Sequence, residues 1–450
     1  MACVSPRRGV TDPARAAALE LLRRVRADDA YANVVMPGLL TARGCQGRDA
    51  AFAVEVGYGT LRMQGFLDAV LQRCIERPWD RVEFDVRDLL RLGAYQLLFM
   101  RVPPHAAIDT TCEAARASGD SGRVGFINAV LRTVAQRDRT EWIAELGVAE
   151  PVTDEQWSVR ESHPAWVVRE LRRALPDPEH IGALLAADNA ATRPVLTALD
   201  GDRDALVQAT GGQPGRWSTR AVELSGGSPG NVPAVIEGSA IVQDEGSQLV
   251  ALALAAAVVD PPESVWLDLC AGPGGKAALL ARIAKERHVG FVAVELHEHR
   301  ASLMRRVLPD SVTVHVGDAR SRPWGNQFFD RVLLDAPCSG LGALRRRPEA
   351  RWRRSEADLA VLQNLQIELL DSAVGATRSG GVIGYATCSP VLEETREVVD
   401  EVLARRGDVV IEDARALFPP DMDLGDGPWV QLWPHIHGTD AMFFALLRRK

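Results

Sequence analysis

The spacing of apolar residues divides the chain into stretches with different predicted structure. From about residue 12 to 140, Leu, Val and Ala recur every three or four positions without strand-like alternation, which is the pattern of helices with one buried face. The first helix has a common start signal, with Asp12 as the N-cap residue and Pro13 at the first helical position. We therefore predict an all-helical domain over residues 1–140.

Residues 141–235 follow a less regular pattern. The first part, residues 141–165, contains several Pro, Trp and polar residues and is predicted to be a linker. Beyond it, the helical stretches "AWVVRELRRAL" and "HIGALLAAD" precede short strand-like pieces such as "RPVLTAL", which lie between turns rich in Gly and Pro. This part is predicted to be a small α/β subdomain.

From about residue 236, short apolar runs alternate with amphipathic segments. This alternation is typical of a parallel sheet that is covered by helices on both faces. The predicted strands lie in "SVWLDLC", "HVGFVAVEL", "VTVHVGD", "FDRVLLDAPC" and "GGVIGYATCS". Residues 236–450 are thus predicted to be an α/β domain, and "DVVIED" and "AMFFALLRRK" are candidates for additional strands.

Length and composition agree with more than one folded domain. A chain of 450 residues is too long for a single core, and 46% hydrophobic with 25% charged residues is ordinary for a soluble protein. The stretch "MACVSPRRGV" lacks the apolar core of a signal peptide, and the longest apolar run, residues 249–260, is too short to span a bilayer. We expect a cytoplasmic protein without a membrane partner.

The charge distribution leaves the mode of nucleic-acid binding open. A formal net charge of -8 argues against binding by bulk charge, yet arginines are dense in "RRPEARWRR" at residues 346–354. Such a run is by default a solvated face. Because it follows a cysteine at a strand end, contact with nucleic-acid phosphates is an equal alternative.

No catalytic, disulfide or metal-binding role is predicted for most of the cysteines and histidines. The seven cysteines are scattered and include no C-x-x-C pair, so neither a disulfide framework nor a zinc site is expected. The histidines of "HEH" (297–299) and "HIH" (435–437) lack further ligands at zinc spacing and are predicted to be surface residues, so no metal is expected. A packing role as small apolar side chains is assigned to Cys3, Cys45, Cys74, Cys112 and Cys270.

The ends of the predicted strands carry acids and cysteines. In an open α/β sheet, ligands and catalytic groups gather at the carboxyl ends of the strands, so we expect these side chains to line one rim. In strand order they are Asp268, Glu295, Asp318, Asp335 with the nearby Cys338, and Cys388.

The first of these strands runs into the glycine turn "CAGPGGK", residues 270–276. Its glycines let the backbone approach a ligand closely, and Glu295, about 20 residues further on, is placed to accept hydrogen bonds from ribose hydroxyls. These features fit a dinucleotide or S-adenosylmethionine. The turn is neither G-x-G-x-x-G nor a phosphate-binding loop, since Ala277 follows Lys276, and a cofactor without phosphates is therefore favoured.

Cys338 and Cys388 differ from the other cysteines because both lie at the ends of strands that are normally neighbours. A thiol becomes a working nucleophile where a helix N-terminus or nearby cations favour the thiolate. Each of the two precedes a possible helix start, in "SGLG" and "SPVLEET" respectively. Position alone leaves open which of them is catalytic.

The strand-end segments resemble the motifs of a known family. "LDLCAGPGGKAALLA", "AVELHEHR", "GDAR", "LLDAPCSGLGALRRRPEARWRR" and "YATCSP" are similar, in order, to those of the RsmB/Sun family of RNA cytosine-C5 methyltransferases. "VEVGYGTLR", "LLRLGAYQLLFM" and "FINAVLR" resemble the RNA-binding fold of the antitermination factor NusB. The likeness implies an all-α NusB-like N-terminal domain (1–140), a small α/β linker subdomain (141–235) and a C-terminal α/β Rossmann-like class I methyltransferase domain (236–450).

The resemblance also implies a role for each site residue. The family's nucleophile maps to Cys388, the cysteine that helps to release the product maps to Cys338, and Asp335 is implied to lie between the cofactor and the target base. The implied methyl donor is S-adenosylmethionine and the implied substrate is RNA, with 16S small-subunit ribosomal RNA as the first candidate. The residues implied to bind the cofactor are Cys270, Ala271, Gly272, Pro273, Gly274, Gly275, Lys276, Glu295 at the ribose, Asp318 near the adenine, and Asp335.

Other functions stay open at this stage. The same chemistry on transfer RNA is one alternative, and a non-catalytic RNA-binding factor for ribosome assembly is another. Lys276, Asp335 and the two strand-end cysteines are all present, which argues against the non-catalytic function. A dehydrogenase would explain neither cysteine. We expect the protein to act as a monomer.

Overall fold

The computed structural model describes residues 12–28, 30–119 and 121–450. Its helices are Pro13–Ala27 (α1), Ala32–Ala42 (α2), Gly47–Arg62 (α3), Gln64–Arg73 (α4), Phe84–Phe99 (α5), Pro104–Ala117 (α6), Val124–Val134 (α7), Arg139–Glu145 (α8), Asp154–Arg160 (α9), Ala165–Ala174 (α10), Ile181–Asp188 (α11), Arg203–Thr210 (α12), Pro233–Ile236 (α13), Glu245–Ala256 (α14), Gly275–Glu286 (α15), Glu298–Met304 (α16), Ala350–Arg353 (α17), Ala357–Ala376 (α18), Arg396–Arg405 (α19) and Pro434–His437 (α20).

The strands form two separate sheets. They are Val195–Ala198 (β1), Gln213–Pro214 (β2), Ala221–Glu223 (β3), Ala240–Val242 (β4), Val265–Asp268 (β5), Gly290–Glu295 (β6), Thr313–Val316 (β7), Phe329–Asp335 (β8), Thr377–Thr387 (β9), Val409–Glu412 (β10), Val430–Gln431 (β11) and Phe443–Arg449 (β12). The chain divides into two compact units. We call the part up to Arg169, together with Arg346–Arg353, the helical unit, and Glu170–Arg345 with Arg354–Lys450 the α/β unit.

The helical unit forms as the apolar spacing predicts. Asp12 caps α1, since its carboxylate accepts hydrogen bonds from the backbone N–H groups of Ala14 at 2.9 Å and Arg15 at 3.2 Å. The apolar faces of the helices then share one core. Its fully buried side chains include Leu21, Phe66, Leu67, Leu71, Leu89, Leu90, Ile127 and Leu131.

Residues 141–165 are more helical than the predicted linker. Both α8 and α9 begin with a reciprocal capping box, formed by Asp138 with Glu141 and by Thr153 with Gln156. Each box satisfies backbone N–H groups that a short helix otherwise leaves unpaired, so helices of two turns form, and Trp142 and Trp157 lie inside them.

The arginine run at 346–354 is not a solvated face except at Arg354, which is exposed, and that prediction is wrong. Arg351 is fully buried in the helical unit, where its guanidinium donates to the carbonyl oxygens of Ser162 at 3.0 Å and Arg62 at 3.4 Å. Glu349 is buried as well and accepts a hydrogen bond from Ala32 N–H at the start of α2, at 3.1 Å. The segment is therefore a structural part of the helical unit, because it supplies partners to backbone groups at helix ends.

The α/β unit contains a small antiparallel sheet with the order β2-β3-β1-β4. With α12 and α13 it forms a small α/β part, and its strand β4 lies beyond residue 235, the predicted end of the small subdomain. Its own small core includes Leu196, Leu206 and Val222.

The large sheet of the α/β unit has the order β10-β12-β9-β8-β5-β6-β7. The strands β5 to β9 are those predicted from the sequence, and their pairings are parallel. β12 is antiparallel to β9 and β10, which confirms the two candidate strands near the end of the chain and makes the sheet mixed. Strand order reverses beside β5, and this is where α/β sheets bind their ligands.

Both faces of the large sheet are covered. Neighbouring residues of β5 point to opposite faces, with Trp266 in one apolar cluster and Leu267 in the other. This burial on both faces explains why the predicted strands are continuous apolar runs. Among the residues described above, no helix is both long and apolar enough to cross a bilayer.

Candidate active site

The glycine turn joins β5 to α15 and is built for a close backbone approach. Gly274 has a φ of 114°, which other residues rarely adopt, and α15 begins directly after it at Gly275. A Cβ atom placed on Gly272 would lie only 2.1 Å from Oε2 of Glu295. The turn therefore needs glycine at these positions, and the first turn of α15 presents backbone N–H groups to the same rim.

Glu295 ends β6 beside this turn. Its side chain is buried, and its two oxygens accept hydrogen bonds from the backbone N–H groups of Gly272 at 3.1 Å and His297 at 2.9 Å. A carboxylate oxygen has a second lone pair, so each remains able to accept from a ligand hydroxyl. The carboxylate predicted from sequence spacing is thus held in place by the turn itself.

Asp268 is the most strongly perturbed acid of the rim. Its Oδ1 accepts from Cys270 N–H at 3.3 Å, whereas the buried Oδ2 has no hydrogen-bond partner among the described residues. Burial, reinforced by the nearby charge of Asp335, raises the pKa of Asp268 from 3.8 to about 8. The sequence placed Asp268 at a strand end but assigned it no role, because its burial depends on the assembled sheet.

Lys276 and Asp335 form an ion pair across the ends of α15 and β8. Lys276 Nζ donates to Asp335 Oδ2 at 2.8 Å. Burial of Lys276 opposes its charge, but the charge of Asp335 and the hydrogen bond outweigh burial and raise the pKa of Lys276. The exposed fraction is 9% for the lysine side chain and 32% for the aspartate, so Asp335 is the member that a substrate can reach.

The two strand-end cysteines lie side by side. Cys338 follows β8, Cys388 follows β9, and the two Sγ atoms are 3.4 Å apart. The hydrogen bond with Cys388, burial and the charges of Cys388 and Glu394 together raise the pKa of Cys338 well above that of a free thiol. Cys338 therefore keeps its proton while it faces the sulfur of Cys388.

The predicted helix start after Cys338 is wrong. The chain instead turns at Gly340, which has a φ of 77°, and Gly342 N–H donates to the carbonyl oxygen of Cys388 at 2.9 Å. A Cβ atom on Gly342 would meet that residue's backbone at 2.8 Å. After Cys388, a short 3-10 turn, Leu392–Glu394, precedes α19, so a helix does follow this thiol.

Asp318 stands apart from this group of contacts. Its carboxylate caps a short turn after β7 and is held by the guanidinium of Arg320 at 2.6 Å. The hydrogen bond from Arg320 lowers the pKa of Asp318. Its side-chain partner Arg320 is on the same turn, in contrast to the partners of Glu295 and Asp335.

The remaining cysteines match their predicted packing role where they are described. Burial raises the pKa of Cys270, with the acids of the rim adding to the effect, and the thiol is therefore protonated at neutral pH. Burial likewise raises the pKa of Cys45 and Cys112, and that of Cys74 to about 11. Cys3 lies outside the described residues.

One histidine prediction is wrong. His437 is buried, not exposed, since its ring nitrogens bond to the backbone N–H of Trp433 and to the carbonyl oxygen of Asp423, both at 2.8 Å. These bonds fix the loop around α20 and leave no nitrogen for a ligand. No cluster of three or more metal-binding side chains is found in the part of the chain that the structure describes.

Comparison with known proteins gives two family matches. Residues 256–448 match the model of a family described as 16S rRNA methyltransferase RsmB/F, and residues 12–136 match that of the NusB family. The chain is 34% identical to ribosomal RNA small subunit methyltransferase B of Escherichia coli strain 536, over 90% of this chain and 91% of that protein.

Two further proteins are similar over the whole length. A Mycobacterium tuberculosis H37Rv protein named as a methyltransferase, Rv1407, is 50% identical, over 99% of this chain and 98% of the relative. The crystal structure of PH0851 superposes with a TM-score of 0.81 at 21% identity, covering 98% of this chain and 99% of that chain. The structural match shows a shared fold from the helical domain through the α/β domain.

Proposed function

From the premise that this chain belongs to the RsmB/F family of ribosomal RNA methyltransferases, we propose that it methylates carbon 5 of a cytosine in 16S rRNA. The observation that supports this proposal most directly is the pair of thiols at 3.4 Å, beside a glycine turn and a Lys276–Asp335 ion pair. A dehydrogenase or a binding module would have no use for two apposed thiols at this rim. We also propose the domain limits 1–140, 141–235 and 236–450, with the NusB-like domain contributing RNA contacts.

The methyl donor is S-adenosylmethionine, and the rim fits it. The unpartnered Oδ2 of Asp268 is a buried acceptor suited to a cationic group, and Glu295 is an acceptor suited to hydroxyls. The glycine turn offers backbone approach without the pattern of a phosphate-binding loop. We propose that residues 270–276, Glu295, Asp318 and Asp335 hold the cofactor, which when bound supplies an electrophilic methyl group for carbon 5.

The first chemical role belongs to Cys388. Carbon 5 of cytosine is a weak nucleophile, so its electron density must be raised before it can accept a methyl group. The Cys388 thiolate forms a bond to carbon 6, and the π electrons of the C5–C6 double bond move onto carbon 5. A proton delivered to the ring nitrogen balances the developing negative charge, and Asp335, the exposed member of its ion pair, is the proposed donor. Asp335 takes this proton from the Lys276 ammonium, to which it is hydrogen-bonded, so that the lysine becomes neutral and Asp335 ends as a carboxylate again.

The second role belongs to Cys338, after the methyl group has reached carbon 5. A base must then remove the carbon 5 proton, so that the C5–C6 double bond reforms and the Cys388 thiolate leaves. Two of the causes that raise the pKa of Cys338 are the hydrogen bond and the charge of Cys388. Both end once Cys388 is bonded to carbon, so we infer that Cys338 then gives its own proton to water and, as a thiolate, removes the carbon 5 proton.

The test of the proposed function is a map of 5-methylcytosine in ribosomal RNA from cells with and without this protein. The expected result is one cytosine of 16S rRNA that loses its mark and regains it when the purified protein and S-adenosylmethionine are added to unmethylated RNA. Loss of a mark in transfer RNA instead would move the substrate to that RNA. No binding of S-adenosylmethionine by the folded protein would overturn the enzymatic proposal.

A further inference from the structure

A buried carboxylate connects the two cysteine loops of the α/β unit. Glu394 ends the short turn between Cys388 and α19 and is fully buried. Its oxygens accept two hydrogen bonds from Ser339, one from the backbone N–H at 2.6 Å and one from Oγ at 2.5 Å. Ser339 is the residue directly after Cys338, so Glu394 holds the first cysteine loop.

The same carboxylate also engages the second cysteine loop. Ser389, directly after Cys388, is hydrogen-bonded to Glu394, and its Oγ lies 3.2 Å from Oγ of Ser339. Gln366 of α18 completes the group, since its Nε2 donates to the carbonyl oxygen of Pro337 at 2.9 Å and to Glu394 at 3.4 Å. The residue after each cysteine is therefore a serine bound to one carboxylate.

Core stability alone does not explain this arrangement. A buried carboxylate is costly, and burial indeed raises the pKa of Glu394 while the hydrogen bonds to the two serines and Gln366 oppose that rise. Apolar residues of similar volume usually stabilise a core as well or better. The carboxylate instead fixes the position of the two cysteine loops relative to each other, because it is hydrogen-bonded to groups from both loops.

We propose that Glu394 is a positioning residue that sets the distance between the Cys338 and Cys388 thiols, an inference that rests on the proposed cytosine-C5 chemistry. The two sulfurs must act in turn on neighbouring ring carbons of one base. A displacement of one thiol by about 1 Å costs on the order of 100-fold in rate. Glu394 thus acts through both cysteines without touching the substrate.

The test compares Glu394→Ala with the matched control Glu393→Ala. Glu393 is in the same turn but pairs with Arg173 at 2.8 Å near the surface, away from both serines. We expect Glu394→Ala to lower kcat about 100-fold while the Kd for S-adenosylmethionine changes less than about twofold. For Glu393→Ala we expect the kcat and the Kd for S-adenosylmethionine of the wild-type protein.

A second readout reports the thiol geometry without any RNA. Hydrogen peroxide converts two adjacent thiols to a disulfide, and the two hydrogens and two electrons lost by sulfur reduce the peroxide to two molecules of water. The Cys338–Cys388 disulfide is expected to form at least about tenfold more slowly in Glu394→Ala than in the control, as followed by mass spectrometry of the linked peptides. Glu394→Gln, which keeps one acceptor oxygen, is expected to restore about half of the rate.

The outcomes separate the two proposals. Equal disulfide rates in Glu394→Ala and Glu393→Ala overturn the positioning role, as does a fall in kcat without a fall in the disulfide rate. If Glu394→Ala does not fold, Ser339→Ala is judged by the same two rates, because it removes the Oγ contacts with Glu394 and Ser389 and keeps the backbone N–H bond to Glu394. A wild-type protein that methylates no RNA but shows the expected disulfide rates overturns the proposed function and leaves the role of Glu394 in thiol geometry supported.

Discussion

At the scale of single residues, the thiol pair raises the question of which sulfur holds the proton. The hydrogen bond with Cys388 and burial raise the pKa of Cys338, so a proton is held between the two sulfurs. Position in the sequence could not distinguish them, because both follow parallel strands and both precede a serine. The resemblance assigns the nucleophile to Cys388, and this role stays a prediction.

The cysteine roles predict two different defects. Cys388→Ala is expected to reduce methylation to background, because no adduct can form at carbon 6. Cys338→Ala is expected to slow turnover about 10²–10⁴-fold and to accumulate protein bound covalently to RNA, because the base that allows release is missing. Denaturing gels with labelled RNA measure the adduct, and a Cys338→Ala/Cys388→Ala double variant is the control that should show none. An adduct that persists in Cys388→Ala would reverse the roles.

The buried Asp268 predicts a pH dependence of cofactor binding. Its pKa of about 8 means that it is mostly neutral at pH 6, whereas a cationic ligand group is best accepted by the ionised form. If only the ionised form binds, affinity for S-adenosylmethionine rises by up to about 50-fold from pH 6 to 8, and calorimetry across this range measures it. Asp268→Asn is expected to bind weakly with little dependence on pH. A wild-type affinity that stays constant from pH 6 to 8 contradicts this role.

The raised pKa of Asp268 also makes the stability of the folded protein depend on pH. This stability falls from pH 6 to 8, whereas the affinity for the cofactor rises. The folded protein holds the Asp268 proton more tightly than the unfolded chain, whose reference pKa is 3.8. The stability that this proton contributes is complete below pH 3.8 and is lost as the pH rises through about 8. Without cofactor, Asp268 therefore makes the folded state less stable at pH 8 than at pH 6, and binding of a cation offsets the loss.

At the scale of elements, apolar periodicity predicted the helices and the five parallel strands well, because burial of one or both faces leaves a regular pattern. It failed for residues 346–353. A run of arginines indicates exposure, but Arg351 is buried because its partners are the carbonyl oxygens of Arg62 and Ser162, which are distant in sequence. The position of Glu394 could not be predicted from the sequence for the same reason, because its partner Ser339 follows a different strand.

The buried segment predicts that Arg351 stabilises the helical unit. Arg351→Ala leaves two carbonyl oxygens without their charged donor, and we expect a loss of about 1.5–3 kcal/mol in the free energy of unfolding. Arg354→Ala is the matched control, because Arg354 is exposed, and its effect should stay within about 0.5 kcal/mol. Urea denaturation of the full chain, followed by the tryptophan signal and by far-ultraviolet circular dichroism, measures both. Equal values for the two variants would contradict a structural role for the segment.

At the scale of the whole molecule, the proposed cofactor and catalytic residues all belong to the α/β unit. The glycine turn, Glu295, Asp335 and both cysteines lie within Glu170–Arg345 or Arg354–Lys450. The sequence predicted an end of the helical domain at residue 140 and a change to alternating patterns near residue 236, whereas the two units divide between Arg169 and Glu170. It did not indicate that Arg346–Arg353 returns to the helical unit, because that depends on contacts between segments far apart in the chain.

This division predicts which segments of the chain the bound cofactor protects from hydrogen exchange. A ligand present at 100 times its Kd stabilises the folded state that binds it by about 2.7 kcal/mol, so amide exchange that requires opening of the site slows up to about 100-fold. With S-adenosylmethionine, hydrogen exchange is expected to slow in peptides that cover residues 265–276 and 290–297, while those of α1 to α5 keep their rates. Asp268→Asn at the same cofactor concentration is the control that should lose most of the protection. Equal slowing in α1 to α5 would contradict a cofactor site built from the α/β unit alone, because protection extends only to segments whose opening is coupled to ligand release.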